Sequence, residues 1–200
     1  MLKFLILNGS ISADQGNTQK LIEYAKELIS SKNIECKIIQ LKDLSDKKIS
    51  IATIADDVFE SDGIIFTTGT YWDSWGSPLQ FFLESFTPYE GHQDIVGKPV
   101  SVIATMHSVG GKSILSRLQG VLNTMGFSIP PMSSIAYSLV NQEALENKSS
   151  FSDDFWSIDD LGPIVNNLAT MAKIMQLHKN QFQAWPLDHK DPKRIWIKDL

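Results

Sequence analysis

The chain has 200 residues, of which 42% are hydrophobic and 20% charged, with a net charge of -5. These are the proportions of one globular domain able to bury its own core, and the charge disfavours nucleic-acid binding, which calls for a basic face or stripe. No apolar run approaches the roughly 20 residues that span a bilayer, and the single cysteine, Cys36, allows neither an internal disulfide nor a cysteine-held cluster.

Taken in chain order, the residues alternate between two periodicities. Leu2 to Leu7 is an apolar run broken only by Lys3, as in a strand buried on both faces of a parallel sheet. The run stops at Asn8-Gly9, too soon for a leader peptide, so a cytoplasmic protein is expected. A polar loop leads to Leu21, Ile22, Ala25, Leu28 and Ile29, spaced as one face of a helix. Ile34 to Leu41 reads as a second strand and Ile51 to Phe59 as a short helix. Gly63 to Thr67 reads as a third strand, and Leu79, Phe82, Leu83 and Phe86 form the next helical stripe. Pro99 to Thr105 is a fourth strand, followed by a helix from Ile114 to Met125 that Gly126 terminates. Ser134 to Leu139 is a fifth strand, and Leu161 to Met175 a last long helix.

Strands alternating with helices predict a parallel sheet covered on both sides, with right-handed crossovers. The expected fold is a flavodoxin-like three-layer α/β sandwich with a five-stranded parallel sheet of order 2-1-3-4-5. Ligands then lie beyond the carboxyl ends of the strands. Residues 1–183 form this domain. The tail 184–200 carries Trp185, Pro186, Pro192 and Trp196 and is expected to pack on the domain or on a second subunit. From Ile49 to Gly97 there are carboxylates but no lysine or arginine, which marks a locally acidic surface.

Three loops carry the candidate chemistry. The first, Asn8 to Thr18, leads into a helix N-terminus, where outward N–H groups and the helix dipole favour an anion. Ser10, Ser12, Asn17 and Thr18 add hydroxyl and amide donors. The loop has neither the GxxxxGK[ST] nor the GxGxxG pattern, which disfavours a P-loop nucleotidase and a tightly held dinucleotide; Asn17 or Thr18 acting only as a helix cap is the alternative. The second loop, Thr67 to Leu79, holds Gly69, Thr70, Tyr71, Trp72 and Trp75. Aromatic faces there suit a flat heterocycle; Tyr71 and Trp72 are read as ligand contacts, and Trp75 as a lid or interface residue. Ser77 is expected to cap the next helix, with Pro78 at its first position. The third loop, Thr105 to Lys112, contains His107, Gly110 and Gly111, and its backbone suits the polar edge of a ring.

The segments GSISADQGNTQKL, DGIIFTTGTYWDSWGSPLQFFLE and GKPVSVIATMHSVGGKSILSRLQGVLNTMG resemble, in order, the phosphate loop, the ring-side loop and the Gly-rich loop of the NADPH-dependent FMN reductases. The resemblance covers roughly residues 2–132. It implies FMN as cofactor, NADPH or NADH as transient co-substrate, and a free flavin, a quinone or a similar small molecule as acceptor. By the same resemblance Ser10, Ser12, Asn17 and Thr18 match the phosphate positions. Gly69, Thr70, Tyr71 and Trp72 match the loop beside the isoalloxazine ring, and Thr105, His107, Gly110 and Gly111 the loop at its pyrimidine edge. Ser12 stands where many members carry arginine, Gly69 where proline is frequent and Gln80 where lysine is common.

In such an enzyme the protein positions the cofactor, which carries the redox chemistry, and no catalytic acid–base pair is expected. The competing readings are an FMN electron carrier without its own NAD(P)H activity and a flavodoxin-like module without flavin. The resemblance and the aromatic tail both point to a homodimer or higher oligomer.

Overall fold

The computed structural model describes residues 1–147, 157–178 and 181–184. Its centre is strand β1 (Lys3–Asn8), flanked in parallel by β2 (Glu35–Gln40) on one side and β3 (Gly63–Tyr71) on the other. Strands β5 (Val100–Met106) and β6 (Ser134–Ser138) continue the sheet in parallel, in the order β2-β1-β3-β5-β6. Among the parallel strands this is the expected 2-1-3-4-5. A two-residue strand β4 (Ser74–Trp75) folds back antiparallel on the end of β3.

Period-two alternation sends successive side chains to opposite faces of the sheet, and each face has its own core. Leu5, Leu7, Ile64, Phe66, Val100 and Val102 pack with Leu41, Ile54, Leu79, Phe82, Ile114 and Leu118. These last come from α2 (Leu41–Ser45), α3 (Ile51–Glu60), α4 (Ser77–Phe86) and α5 (Gly111–Thr124). On the other face Phe4, Ile6, Ile65, Ile103 and Ile135 meet α1 (Asn17–Ser31) and α7 (Leu161–Leu177) through Leu21, Ile22, Ile29, Ile164 and Leu168. Full burial of one such side chain contributes about 1.5–3 kcal/mol, so the stripes read from the sequence are what fix each helix to its face.

Several boundaries differ from the sequence reading. The third strand does not stop at Thr67. It runs to Tyr71, because β5 pairs with it as far as Gly69, opposite Thr105, and β4 then pairs Thr70 with Trp75. Gly69, Thr70 and Tyr71 are therefore strand residues, and the turn is only Trp72-Asp73. Both turn residues have positive φ, 49° and 58°, as the primed hairpin turns require. Leu41 begins the short helix α2 and Leu139 begins α6 (Leu139–Glu146), so neither residue ends a strand.

Helix α4 is capped by Gly76, not Ser77. The Gly76 N–H donates to Thr68 Oγ1 at 2.9 Å. A Cβ at Gly76 would lie 2.5 Å from the Gly9 carbonyl oxygen, so only glycine lets the two loops touch. Gly126 follows α5 with φ 112°, in the left-handed conformation that ends a helix.

Among the described residues no helix is long and apolar enough to cross a membrane. The tail from residue 185 onward lies outside the described residues. Phe182, just before it, packs against Gly97, where a Cβ would stand 2.9 Å from the Phe182 ring.

Candidate functional site

The strand order reverses direction at β1 and β3, and a cavity of about 540 Å³ opens beyond their carboxyl ends. Its first wall is the loop after β1 and the first turn of α1. Asn8, fully buried at the strand end, holds this loop. Its Oδ1 accepts from the Ser10 N–H at 3.0 Å and from Thr67 Oγ1 at 3.2 Å. Its Nδ2 donates to the Ala13 carbonyl at 3.1 Å and to Gln40 Oε1 at 2.7 Å. An asparagine that bonds the backbone two residues on is a turn former, and here it sets the path of the chain over the sheet. Gly9 N–H donates to the Thr67 carbonyl at 2.8 Å, tying the loop to β3.

The loop then enters α1 with Gly16 as cap and no side-chain cap bond, so Asn17 and Thr18 are the first two helical residues and not caps. Their N–H groups precede the intrahelical ladder. Thr18 is buried, and its hydroxyl is paired with that of Thr105 at 2.8 Å.

The opposite wall is the end of β3. The ring of Tyr71 lies over Gly69, where a Cβ would stand 3.0 Å from Tyr71 Cε2. The hairpin is held from behind. Arg117 Nη2 donates to the Asp73 carbonyl, and its guanidinium sits 5.5 Å from the centre of the Trp75 ring. Trp75 Nε1 donates to Gln80 Oε1 at 2.8 Å. Gly110, with φ 92°, passes so close that a Cβ would be 2.5 Å from Asp73 Oδ1. The loop after β5 closes the third side. The His107 carbonyl accepts from Ser138 Oγ at 3.1 Å and from the Val140 N–H at 3.2 Å.

Of the residues singled out from the sequence, Ser10, Ser12, Asn17, Thr18, Gly69, Thr70, Tyr71, Thr105 and His107 line this one cavity. Trp72, Gly110 and Gly111 stand outside its lining. Trp72 sits at the hairpin tip with its side chain 101% exposed. Gly110 backs the hairpin, and Gly111 packs where a Cβ would be 2.5 Å from Ala136 Cβ.

Lys20, Leu21, Met106, Tyr137, Leu139, Gln142 and Ile158 also line the cavity and were not anticipated. Lys20 and Leu21 follow Asn17 and Thr18 by three residues, which puts each pair on one helix face; that spacing was the available signal. Tyr137 ends β6, in the same relation to the sheet as the other two strand ends. Its burial, with the Glu146 carboxylate adding to it, raises the pKa of its hydroxyl above the ordinary value, so at neutral pH it is a donor.

The donor set fits a phosphate beside a flat ring. Ser10 is only 3% exposed, and its hydroxyl has no hydrogen-bond partner among the described residues. Thr70 Oγ1 is buried beside the cavity and is likewise unpartnered. Hydroxyl, amide and helix N–H donors stand on one wall and an aromatic ring on the other.

The sheet order and a cavity of this make-up define a flavodoxin-like α/β protein. The chain belongs to the NADPH-dependent FMN reductase family, whose model matches residues 2–142. FMN is its cofactor and NAD(P)H its co-substrate, and it is an FMN-dependent NAD(P)H oxidoreductase. Among solved structures, that of RosB with bound 8-demethyl-8-formylriboflavin-5′-phosphate is 14% identical. The match covers 100% of this chain and 96% of that one, with a TM-score of 0.70. An oxidoreductase from Corynebacterium diphtheriae is 14% identical over 86% of this chain and 98% of that one, at a TM-score of 0.67. The apo NADH:FMN oxidoreductase EmoB is 21% identical over 87% and 90% respectively, at 0.62. These likenesses are of fold. No curated protein matches the chain in sequence.

Proposed function

We propose that the cavity holds FMN with its phosphate at the first turn of α1, served by Ser10, Ser12, Asn17 and Thr18. The ring then lies between Gly69, Thr70 and Tyr71 on one side and Thr105 and His107 on the other, with Gly110 and Gly111 behind these walls and not against the ring. Trp72 stands at the rim, where an acceptor arrives. The observation that carries this reading is one continuous cavity joining the donor-rich turn of α1 to the Tyr71 wall. When bound, FMN supplies hydride and electron transfer.

The residues of the chain bind and orient. Ser10 and Asn17 present donors to a phosphate, Tyr71 and Gly69 form a flat apolar surface, and Tyr137, beside Thr105 in the sheet, presents a protonated hydroxyl to the cavity. The acceptor is a small flat molecule, free flavin or a quinone. Ile11, Trp72 and Val109 expose large apolar surface on the loops at this end of the sheet. That exposure supports a second copy of the chain packing there, as a homodimer or higher oligomer. The composition supports a cytoplasmic setting.

Ser10→Ala combined with Asn17→Ala tests the assignment. Each removes a hydrogen bond to a charged group, which is about 1.5–3 kcal/mol, or roughly tenfold to a hundredfold in affinity. The expected result is a large loss of FMN affinity with an unchanged circular dichroism spectrum. Unchanged FMN affinity would move the phosphate elsewhere. Rapid reduction by NADPH under nitrogen, followed by turnover with a quinone, is expected; slow reduction would favour the electron-carrier reading.

A further inference from the structure

The loop that receives a phosphate in this reading has no cation of its own. Residues 8–18 contain no lysine or arginine, and Asp14 adds a carboxylate in the short turn before α1. A phosphate monoester carries about −1.5 to −2 charges near neutral pH, whereas a helix N-terminus offers an equivalent of only about +0.5. The donors at Ser10, Ser12 and Asn17 are neutral. These neutral donors and the helix N-terminus can hold the anion, but any counter-charge comes from a neighbouring element.

Among the described residues lining the cavity, Lys20 is the one lysine or arginine. It stands in the first turn of α1, three residues after Asn17 and so on the same face. Side chains of a helix tilt toward its N-terminus, which carries the Lys20 ammonium back over the turn that holds the donors. Lys20 forms no ion pair with any described residue. The unpartnered hydroxyl of the buried Ser10 borders the same cavity.

We propose that Lys20 is the cationic contact for a phosphate monoester in this cavity, so that the counter-charge comes from the body of α1 and not from the loop before it. The inference rests on the reading of the cavity as the cofactor site. The chemistry is shared by the 5′-phosphate of FMN and the 2′-phosphate of NADPH, and the residues beside Lys20 favour the first. One consequence is discrimination. FMN is held in preference to riboflavin partly by an exposed charge, so the preference weakens with salt.

The test uses the full chain freed of flavin. FMN and riboflavin are titrated by fluorescence quenching at low and at physiological salt, for the parent, Lys20→Gln and Lys20→Arg. KM for NADPH and for NADH is measured on the flavin-loaded proteins. Lys20→Gln is expected to weaken FMN roughly three- to tenfold at low salt, as befits an exposed charge pair. It should leave riboflavin unchanged and flatten the salt dependence, and Lys20→Arg should restore FMN binding. If FMN is unaffected while KM rises for NADPH and not for NADH, the ammonium serves the 2′-phosphate instead. The proposal is overturned if Lys20→Gln alters neither, or weakens FMN and riboflavin alike. If the Ser10/Asn17 double variant also leaves FMN unaffected, the cavity assignment itself fails; if that variant weakens FMN and Lys20→Gln does not, only the role of Lys20 fails.

Discussion

The hydroxyls of Thr18 and Thr105 lie 2.8 Å apart, linking the first turn of α1 to the carboxyl end of β5 across the base of the cavity. Thr105 Oγ1 also lies 3.4 Å from the Thr68 carbonyl, so the contact runs on into β3. Thr18→Val or Thr105→Val alone leaves a partly buried hydroxyl without this partner and should cost about 1–2 kcal/mol. The double variant should cost less than the sum, because removing both partners together is nearly neutral. Urea unfolding of the four flavin-free proteins measures the coupling, and strict additivity would show that the two hydroxyls do not interact.

Trp72 is fully exposed and adopts a left-handed backbone that disfavours a bulky residue. Trp72→Ala should therefore change stability by less than about 0.5 kcal/mol, and Trp72→Gly should raise it slightly by relieving φ. Both should lower turnover with a quinone. Melting of the flavin-free proteins beside steady-state rates checks this, and a large melting loss would place the indole in a core.

Arg117 ties the outer face of α5 to the hairpin through the Asp73 carbonyl and the Trp75 ring. Such exposed contacts contribute about 0.5–1 kcal/mol, so Arg117→Ala should melt close to the parent. Its effect should appear locally, as faster hydrogen exchange at residues 72–76 and a shifted Trp75 emission. FMN affinity should fall several-fold as Tyr71 loses its fixed position. Arg117→Lys should not rescue it, since a lysine lacks the planar fork that reaches both partners.

Cys36, on the edge strand β2, has its thiol pushed up to about 11 by burial, with Lys26 pulling weakly the other way. Below pH 9.0, the ordinary thiol value, folded and unfolded chains both keep the proton. Between pH 9 and 11 only the unfolded thiol ionises, so stability is lost as pH rises through that window. Cys36→Ala should remove this part of the alkaline decline, and alkylation of the parent at pH 8 should be slower than that of a free thiol. Denaturant midpoints across the alkaline range, together with alkylation rates, check both.

The sheet and its two covers could be read from the sequence because each rests on local periodicity. The β1 run and the Leu21–Ile29 stripe need no knowledge of what lies opposite. The extension of β3 from Thr68 to Tyr71 could not be read. Its threonines and glycine carry no apolar pattern, and the residues that make it a strand, Thr105 and Trp75, are distant in sequence or across a turn. The neutral donors of the first loop stood out by position. Lys20 did not, because it lies past the loop on an exposed helix, where a lysine is ordinary. Tyr137 and Ile158 come from elements placed beside α1 only by the packing of the second core.

The backbone of Gly9 and that of Gly76 touch with no room for a Cβ between them, and each glycine is bonded to β3, through the Thr67 carbonyl and the Thr68 hydroxyl. The phosphate-side loop and the start of α4 are thus riveted to one strand and to each other. Neither the loop nor the start of α4 can swing away from the strand alone. A ligand entering such a cleft meets it already shaped, and the ordering cost that a closing lid would impose was met when the chain folded. Binding should then proceed without a slow conformational phase. Enlarging either glycine to alanine would force the loop and the start of α4 apart, and so disturb the support behind the cleft instead of removing one contact from one ligand.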